Sequence, residues 1–495
     1  MHTLILTLAL AAAPVNLYVS PTGSDSNSCL NAARPCATVN TAIDKAHKLA
    51  GPYVNAPINI YVASGSYYAP LALSDGGAPD PASAMGLIDI EGFAFGPNGS
   101  FTIDCAIQSL SNGLSAAFLD GGAVSGKHSQ EWVQVAPPVG GWGGYAVDAG
   151  YAYSDGGLIA NALKGEFLQA TGGKGVGDVF PIVNNDLTTI SFVRGSNASN
   201  PFDITTTISL YAPASHFYPY PLGGSPSNSY SEADLYVAGN SAETSNGVLL
   251  LSGYTATATP GNVNLYYCDM ANSVSARSHS YSTVEVRGPG LLFFAYGSVE
   301  ADAPSYGAAL TLIGSAPAVF QYSSITGGFN VADLWDTSRL YFTADYVTEP
   351  PQQSAFLVVN SRSTASVEGS VLSTASLPSY SEMIALASSS LWLGYTDLDT
   401  GGAGSDVIGA RQGSFVYASG DSFDGDGGTG ILLLSGASNA NVSATSNTYN
   451  ASSNLVSLDN GNTWTTATTY STNDAGAAGQ HSICNAQWGT CITNK

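Results

Sequence analysis

The stretch TASVEGSVLSTASLPSYSEMIALASSSLWLGYTDLD, residues 364–399, decides the fold. It consists of short runs in which apolar and polar residues alternate, and the runs end in turns made of Gly, Ser, Asn or Asp. Alternation with a period of two is typical of β-strands with one buried face. Leu372 and Leu398, the last large apolar residues of two equivalent runs, stand 26 residues apart. This short interval holds strands and turns and leaves no space for a helix.

The same spacing extends from about residue 260 to residue 460. Equivalent apolar residues form a first column: Met270, Val299, Ile325, Val347, Leu372, Leu398, Phe423 and Tyr449. A second column contains Ile313, Trp335, Val359, Leu386, Ala410, Leu434 and Leu458. A repeat of 22 to 29 residues without helices excludes helical solenoids and disfavours leucine-rich repeats. It predicts an all-β chain folded as a right-handed parallel β-helix, a solenoid with coils stacked about 4.8 Å apart.

The composition agrees with stacked coils. Only 10% of the residues are charged, and 56 are glycine; like charges stacked in successive coils would repel, and glycine suits tight corners. The chain has 13 Lys and Arg against 36 Asp and Glu, a net charge of −23. Nucleic acid is therefore a poor partner, because its phosphates would be repelled. An acidic surface with few lysines also predicts greater stability at low external pH.

The open ends of a stack need caps, because uncovered strand edges invite aggregation. Near the N-terminus, a set of apolar residues recurs at the spacing of one helix face: Val39, Ala42, Ile43, Ala46 and Leu49. Thr38 is the expected N-cap of this helix, and Gly51 lies just past its expected end. At the other terminus, the polar stretch 465–479 leads into a Cys484–Cys491 loop with Trp488 and predicts a small cap.

The chain divides into five predicted segments. The segments are 1–11, a signal peptide; 12–100, the N-terminal cap and first coils; 101–245, irregular early coils with a β-hairpin insertion; 246–464, the regular parallel β-helix; and 465–495, the C-terminal cap. The hairpin is placed at the glycine-rich run 172–178. A phosphate-binding loop is disfavoured there, because Lys174 is followed by Gly175 rather than by Ser or Thr.

A family resemblance supports this fold. The run LYVSPTGSDSN, residues 17–27, followed by RPCATV, residues 34–39, and by Ala42 and Ile43, resembles the opening of secreted right-handed parallel β-helix proteins of the pectin-lyase-like superfamily. In that family an extended segment precedes a capping helix; here Cys36 and Ala37 stand where Phe is usual. The resemblance implies the fold but no single activity, because lyases, esterases, epimerases, adhesins and phage tailspikes share this opening.

The N-terminus predicts export. Residues 4–13 are almost entirely apolar, too short to span a bilayer, and end before Pro14. This is typical of the hydrophobic part of a signal peptide, with Ala9-Leu10-Ala11 as the cleavage motif. We therefore expect a secreted or cell-surface protein with no membrane span. The alternative is that residues 4–10 form a first strand of an unprocessed chain.

Six cysteines also favour an oxidising compartment. Cys29 with Cys36, and Cys484 with Cys491, would each close a small loop near a terminus, where a disulfide prevents fraying. Six cysteines allow fifteen connectivities, and the sequence leaves open whether Cys105 and Cys268 are bridged or free.

Four arginines follow strands of the second column. Arg287, Arg339, Arg362 and Arg411 should lie along one side of the stack as a ladder that could bind carboxylate, sulfate or hydroxyl groups of a glycan. The alternative is that they pair with neighbouring carboxylates such as Asp336 or Asp406. If the protein is a lyase, its base would come from these arginines or another basic residue of the repeats, since no lysine occurs between Lys174 and Lys495.

Carboxylates cluster at the ends of two successive coils, interleaved with glycines: Asp397, Asp399, Asp421, Asp424 and Asp426. Oxygen ligands of this kind suit Ca²⁺, as a structural ion or as a cofactor of a lyase. The same carboxylates could serve as an acid–base pair of a glycoside hydrolase. The aspartate pattern of polygalacturonases, the pectin methylesterase pattern and a Gly-x-Ser-x-Gly element are absent. His279 is the histidine of the regular repeats, and we expect a structural role for it.

Aromatic residues are plentiful and could stack on sugar rings, with Trp392 and Tyr395 as the leading candidates beside the arginine ladder. The leading hypothesis is therefore a secreted or surface-displayed β-helix protein that binds glycans or has a structural or adhesive role. The second is a calcium-assisted polysaccharide lyase or another carbohydrate-active enzyme. The third is a glycan-binding virion spike. A polysaccharide or cell-surface glycan is the expected partner, and the oligomeric state, homotrimer or monomer, stays open.

Overall fold

The computed structural model describes residues 13–50, 53–69, 88–91, 94–95, 99–116, 127, 129–136, 153–154, 157–196, 202–219, 249–252, 262–272, 282–288, 291–301, 308–327, 330–349, 355–374, 382–401, 406–411, 414–424, 429–433, 441–445, 448–450, 454–458, 469–470, 475–476, 482–485 and 490–493. The predicted signal peptide, Gly51, His279, Asp426 and Trp488 lie outside these residues. No helix of the described residues is long and apolar enough to cross a bilayer.

The predicted parallel β-helix is confirmed. Successive coils contribute one strand to each of three sheets, A, B and C, and in the described residues these sheets contain 12, 11 and 12 strands. All neighbouring strands within the sheets run parallel except the last pair of sheet C, which is antiparallel. Each coil passes from sheet A through a tight corner to sheet B, then to sheet C, and through a second corner back to sheet A.

The strand bounds follow the chain. Sheet A consists of Val15–Val19, Pro57–Val62, Ser100–Cys105, Asn262–Tyr266, Leu291–Ala295, Pro317–Gln321, Arg339–Thr343, Thr364–Glu368, Ser390–Gly394, Phe415–Ser419, Asn441–Thr445 and Thr469–Tyr470. Sheet B consists of Gly65–Ala69, Ser215–Pro219, Cys268–Asn272, Ser298–Ala301, Ser324–Thr326, Tyr346–Glu349, Val371–Thr374, Asp397–Asp399, Ser422–Asp424, Thr448–Asn450 and Ala475–Gly476. Sheet C consists of Ile88–Glu91, Leu249–Ser252, Val284–Arg287, Ala308–Ile313, Asn330–Leu334, Leu357–Val359, Glu382–Ala387, Asp406–Arg411, Thr429–Leu433, Asn454–Leu458, Ser482–Asn485 and Thr490–Thr493.

The first column predicted from the sequence is the inward column of sheet B. Its members pair in register from Met270 to Tyr449, and those from Met270 to Phe423 are fully buried. The second column belongs to sheet C and is wrong by one residue at three places, where Leu312, Leu334 and Leu433 replace the predicted Ile313, Trp335 and Leu434. Ile313 and Trp335 are each the outward neighbour of the buried residue, and Trp335 is 43% exposed; Leu434 lies outside the described residues.

The core is the inside of the solenoid. Inward side chains of all three sheets form one hydrophobic cluster, in which Phe320 of sheet A contacts Phe294 and Phe342, with ring centroids 5.4 and 5.8 Å apart. Each fully buried large side chain contributes roughly 1.5–3 kcal/mol by leaving water. Stacking like residues in successive coils therefore gives the chain its main stabilising term.

In seven successive coils, from residue 262 to residue 424, the corner from sheet A to sheet B uses one residue in the left-handed region. These residues, all with positive φ, are Tyr267, Tyr296, Tyr322, Ala344, Gly369, Tyr395 and Gly420. A buried polar residue follows each of the last five members of this corner: Ser323, Asp345, Ser370, Thr396 and Asp421. Asp345 accepts hydrogen bonds from the backbone N–H groups of Ser323 (2.7 Å) and Thr343 (2.8 Å). The polar column thus satisfies backbone donors that the turn would leave buried and unpaired.

A helix, Val39–Ala50, covers the first coil as predicted. Thr38 is its N-cap, because its hydroxyl accepts a hydrogen bond from the N–H of Thr41 (3.3 Å). Four of the five residues predicted for the apolar face are buried: Val39, Ala42, Ile43 and Ala46. The prediction is wrong for Leu49, which is 54% exposed because it lies in the last turn, beyond the edge of the coil.

The β-rich insertion is a closed antiparallel barrel. Its strands are Ile107–Ala116, Gln130–Ala136, Phe167–Gly172, Val179–Asn185, Thr189–Val193 and Thr207–Pro213. The run 172–178 forms the predicted hairpin within this barrel. Two short strand pairs lie outside these sheets: Tyr53–Val54 with Ala94–Phe95, and Tyr153–Ser154 with Gly157–Leu158.

The barrel occupies the A-to-B corner of one coil and lies on the same corner of the coils that follow. The chain leaves sheet A at Ala106 and enters sheet B at Ala214, whose N–H donates to the carbonyl of Ala106 (2.8 Å). Tyr267 and Tyr296 pack against the barrel. Farther along, a Cβ on Gly369 would lie 2.3 Å from the backbone nitrogen of Ser196. Only glycine permits this approach.

Two disulfides tie the N-terminal half together. Cys29 bonds to Cys36, as predicted, and Cys105 bonds to Cys268. The second bond joins the strand before the barrel to a strand of the following coil, so it closes a loop that contains the whole barrel. At the other end, the antiparallel pairing places Cys484 opposite Cys491 in the backbone register; a bond between them stays a prediction.

The two disulfides differ in the size of the loop they close. Replacing both Cys105 and Cys268 by Ser should lower the free energy of unfolding by about 5 kcal/mol, because the bond spans 163 residues. The matched change of Cys29 and Cys36, which are 7 residues apart, should cost only about 2 kcal/mol. Denaturant unfolding of both double variants tests this, and equal losses would contradict the loop-closure explanation.

Candidate functional site

The outer face of sheet A carries aromatic side chains in two regions. Near its C-terminal end, Trp392 lies in register beside Tyr417 of the next strand. The Trp392 ring is 5.3 Å from the ring of Tyr417 and 5.1 Å from that of Phe415. Trp392 is 43% exposed. We call Trp392, Phe415 and Tyr417 the aromatic platform.

Two further tyrosines lie close to the aromatic platform. The predicted candidate Tyr395 follows the strand of Trp392 at the A-to-B corner and is 51% exposed. Its ring lies over Gly420 of the next coil, where a Cβ would come within 3.0 Å of it. Tyr341, 37% exposed, occupies the position of Trp392 two strands earlier. The aromatic surface therefore follows the axis of the stack.

A pocket lies at the N-terminal end of the same face. Tyr18 and Tyr61 stack with ring centroids 5.4 Å apart, and Asp104 is the next residue in register after Tyr61. The Cys29–Cys36 loop forms the opposite wall with Ala32, Ala33 and Pro35, enclosing a cavity of about 530 Å³. We call the site formed by Tyr18, Tyr61, Asp104 and this loop the tyrosine pocket. Burial raises the pKa of Asp104 above its ordinary value.

Hydrogen-bonding groups continue the face between these regions. The amide of Asn59 donates to the side-chain oxygen of Asn16 (2.9 Å), and that of Asn264 donates to the hydroxyl of Thr102 (3.4 Å). These residues occupy the register column that leads to Tyr341 and Trp392. The face combines uncharged polar groups with aromatic rings.

The four predicted arginines lie along the corner between sheets C and A, but their environments differ. Arg287 forms a salt bridge with Glu285, and Arg411 with Glu382 (2.6 Å). Arg287 and Arg411 share one column of sheet C five strands apart, about 24 Å. Arg339 and Arg362 are exposed. The carboxylates that pair with Arg287 and Arg411 are thus Glu285 and Glu382; the side chain of the predicted Asp406 lies outside the described residues.

The described members of the predicted carboxylate cluster lie on two neighbouring strands of sheet B and the corner beside them. Asp397 is buried beneath the barrel and accepts a hydrogen bond from the N–H of Ser129 (3.1 Å). Asp421 is buried at the A-to-B corner, where it accepts from the N–H of Thr396 (2.7 Å). Asp399 is paired in register with Asp424. Among the residues that the structure describes, no group of three His, Cys, Asp or Glu side chains could hold a metal ion.

A hydrogen-bonded group that the sequence analysis missed lies where the barrel meets sheet B. The Nδ1 atom of His216 is 2.6 Å from one carboxylate oxygen of Asp269, and the hydroxyl of Ser298 donates to the other oxygen (2.6 Å). We call these three residues the His216 centre. The hydrogen bond to Asp269 raises the pKa of His216, and the charges of Asp269, Glu166 and Glu300 act in the same direction while burial opposes them.

This arrangement fixes the imidazole. Asp269 holds Nδ1 and is itself held by Ser298, so the tautomer and ring orientation are set, and His216 can accept and return a proton. The sequence signal was weak, because 53 residues separate His216 from Asp269 and His216 lies within the irregular segment 101–245. His216 lies in the first sheet-B strand after the barrel.

A second polar group belongs to the barrel itself. Glu131 is 1% exposed on the strand Gln130–Ala136, and its carboxylate lies 3.8 Å from Nε of Arg194. Burial raises the pKa of Glu131 to about 7, although the charges of Arg194 and Lys174 act against it. Next to this pair, Val193 packs on Tyr346 and Val371 of sheet B.

No protein-family model and no curated protein sequence matches this chain. A solved structure described as a glycoside hydrolase is 10% identical, with 96% of this chain and 97% of that chain covered and a TM-score of 0.32. The Gp54 tailspike of Acinetobacter baumannii bacteriophage AP22, in complex with A. baumannii capsular saccharide, is 9% identical over 84% of this chain and 68% of the tailspike, with a TM-score of 0.25. XylC in complex with xylose is 10% identical over 95% of this chain and 71% of that chain, with a TM-score of 0.19. Scores this low identify neither a family nor an activity.

The raised pKa of Glu131 predicts a dependence of stability on pH. Because the folded protein holds this proton up to about pH 7 and the unfolded chain only to about 4.5, its contribution is complete below pH 4.5 and is lost as pH rises through 7. Glu131→Gln should remove a decline of about 3 kcal/mol in unfolding free energy across this window.

The measurement is denaturant unfolding between pH 4 and pH 8. Glu368→Gln, which neutralises an exposed carboxylate on sheet A, is the control and should keep the wild-type slope. If Glu131→Gln and the wild type lose stability in parallel, the proton on Glu131 is not the cause.

Proposed function

We propose that this protein binds an extended polysaccharide along the outer face of sheet A. The observation that carries the proposal is the aromatic platform, in which the exposed Trp392 and the half-buried Phe415 and Tyr417 form one group of rings on the outer face of a parallel sheet, because a contiguous apolar patch on a surface often marks a binding site. Aromatic rings offer an apolar face for the C–H groups of a sugar, and Tyr and Trp add a polar edge.

The geometry of the stack favours a polymer over a single sugar. Equivalent positions recur about every 4.8 Å along the axis, so Tyr341, Trp392 and Tyr417 lie in one line. The amide groups of Asn59 and Asn264 and the hydroxyl of Thr102 continue that line and can exchange hydrogen bonds with sugar hydroxyls.

The arginines and Tyr395 belong to the edges of this face. Arg339 and Arg362, which are exposed, are the proposed contacts for carboxylate or sulfate groups. Arg287 and Arg411 would have to exchange a salt bridge for a ligand, so their contribution should be smaller.

We place the protein outside the cell and in the pectin-lyase-like superfamily. Two disulfides support an oxidising compartment. The parallel β-helix with its N-terminal helix, preceded by the YVSPTGSD segment, supports the family. An adhesive envelope role and a spike-like role share the same glycan partner, and a stable trimer in solution would favour the spike.

Loss of the central ring should weaken binding. Trp392→Ala should reduce affinity for a bound polysaccharide about ten-fold, without changing the unfolding midpoint, because the ring lies outside the core. The control is Trp335→Ala, which removes an equally exposed tryptophan from the corner between sheets C and A. Affinity electrophoresis against neutral and uronate polysaccharides measures both, and a loss confined to Trp335→Ala would move the binding surface to the corner.

The second candidate function is that of a carbohydrate-active enzyme, and the His216 centre is the observation that favours it. The boundary between an inserted domain and its scaffold is a common place for an active site. His216 would be the general base or acid there, with Asp269 and Ser298 as positioning residues. The earlier alternative, a calcium-assisted lyase with an arginine base, would use Arg362 or Arg411 instead.

Activity assays separate these alternatives. Unsaturated products report β-elimination and new reducing ends report hydrolysis, each measured with and without Ca²⁺. If His216 is the catalytic base or acid, His216→Gln should lower the rate at least 100-fold, while Arg362→Ala and Arg411→Ala stay active. Arginine variants without turnover and an active His216→Gln would support the lyase alternative. If the wild type forms neither unsaturated products nor new reducing ends, both enzymatic candidates are wrong.

A further inference from the structure

We propose that the tyrosine pocket binds the protonated amino group of an amino sugar, so that the glycan recognised by sheet A is one that carries free amines. This inference rests on the proposed function and names its substrate class. It assigns a role to a pocket remote from the aromatic platform, at the opposite end of the same face.

Asp104 lacks a counter-charge among the described residues. Its carboxylate is half-buried, and in the described part of the chain no lysine, arginine or histidine forms a salt bridge with it. A carboxylate partly removed from water without a counter-charge is costly. A cationic ligand would restore the missing interaction.

Tyrosine side chains flank the carboxylate of Asp104. Asp104 lies in register between Tyr61 and Tyr266 on the neighbouring strands, and Tyr18 stacks on Tyr61. Tyrosine faces attract ammonium groups through the ring quadrupole, most strongly where water is partly excluded. A carboxylate flanked by aromatic rings is therefore a binding arrangement for an organic cation.

The lining of the tyrosine pocket suits an amine better than a metal ion. Calcium takes six to eight oxygen ligands, whereas the pocket offers a single carboxylate. Its opposite wall is the apolar surface of Ala32, Ala33 and Pro35. The Cys29–Cys36 disulfide holds this wall in place. A ring with an ammonium substituent fits both walls, the ring against the alanines and the charge at Asp104.

The net charge of the chain points to the same class of ligand. A protein with net charge −23 attracts polycations over distance. Long-range attraction would raise the local concentration of an amine-bearing glycan, and the tyrosine pocket would bind its amino group.

The test compares two trisaccharides with the full chain by isothermal titration calorimetry at pH 6 and low salt: the glucosamine trimer with free amines and its fully N-acetylated counterpart. We expect the wild type to bind the free-amine trimer at least ten-fold more tightly. Asp104→Asn should bring the two affinities within two-fold, and Tyr61→Ala should reduce the preference. Lowering the pH until Asp104 is protonated should reduce the wild-type preference without any substitution.

The matched control is Glu368→Gln. Glu368 occupies the same register column as Asp104, five strands farther along sheet A, but it is exposed and has Gly394 beside it on the next strand. This variant should keep the ten-fold preference. Equal wild-type affinities, or a preference that survives Asp104→Asn, would overturn the inference.

The two proposals fail in different ways. If Trp392→Ala weakens binding of the N-acetylated trimer while the wild type shows no amine preference, only the amine pocket is wrong. If neither trimer binds the wild type and Trp392→Ala changes no polysaccharide affinity, the glycan-binding function itself is wrong.

Discussion

The structure depends on one constraint: every coil must turn at the same place and still satisfy the backbone groups that the turn buries. One left-handed residue per coil makes the corner between sheets A and B, and a buried polar residue next to it accepts or donates the hydrogen bonds that the strands cannot. Because the corners coincide, the inward side chains of successive coils coincide too. The hydrophobic core, the parallel register and the flat outer faces all follow from this repetition.

The corner also explains how the molecule separates its surfaces. The corner carries a tyrosine in three successive coils: Tyr267, Tyr296 and Tyr322. Their rings stack into a surface on which the barrel packs. The corner residues then become smaller at Ala344 and Gly369, where a barrel loop comes close. As a result the barrel covers part of sheet B, while sheet A keeps its aromatic residues in solvent.

How far the sequence predicts this structure depends on the range of the interactions involved. The column from Met270 to Phe423 was predictable, because a buried position repeats its own pattern in every coil. Trp335 shows where a repeating pattern misleads: this large apolar residue stands beside the inward Leu334 and fits the same spacing, but it faces outward. Trp392 and Tyr395 are exposed, and their part in glycan binding stays a prediction. The closed barrel, the Cys105–Cys268 bond and the approach of Tyr266 to Asp104 join residues far apart in sequence, and no local period reports them. The His216 centre was missed for the same reason, since its strand has no neighbours in sequence with which to align.

The chain leaves the solenoid at Ala106 to form the barrel and re-enters it at Ala214. A backbone hydrogen bond joins these two residues. An inserted domain whose two ends meet in this way requires no change in the length or register of the host coil. In evolutionary terms the corner is a point of exchange: a descendant could lose the barrel, or receive a different domain there, and keep every other coil unchanged. A family built on such a scaffold would diversify by replacing whole modules at its corners while the stacked coils stay the same.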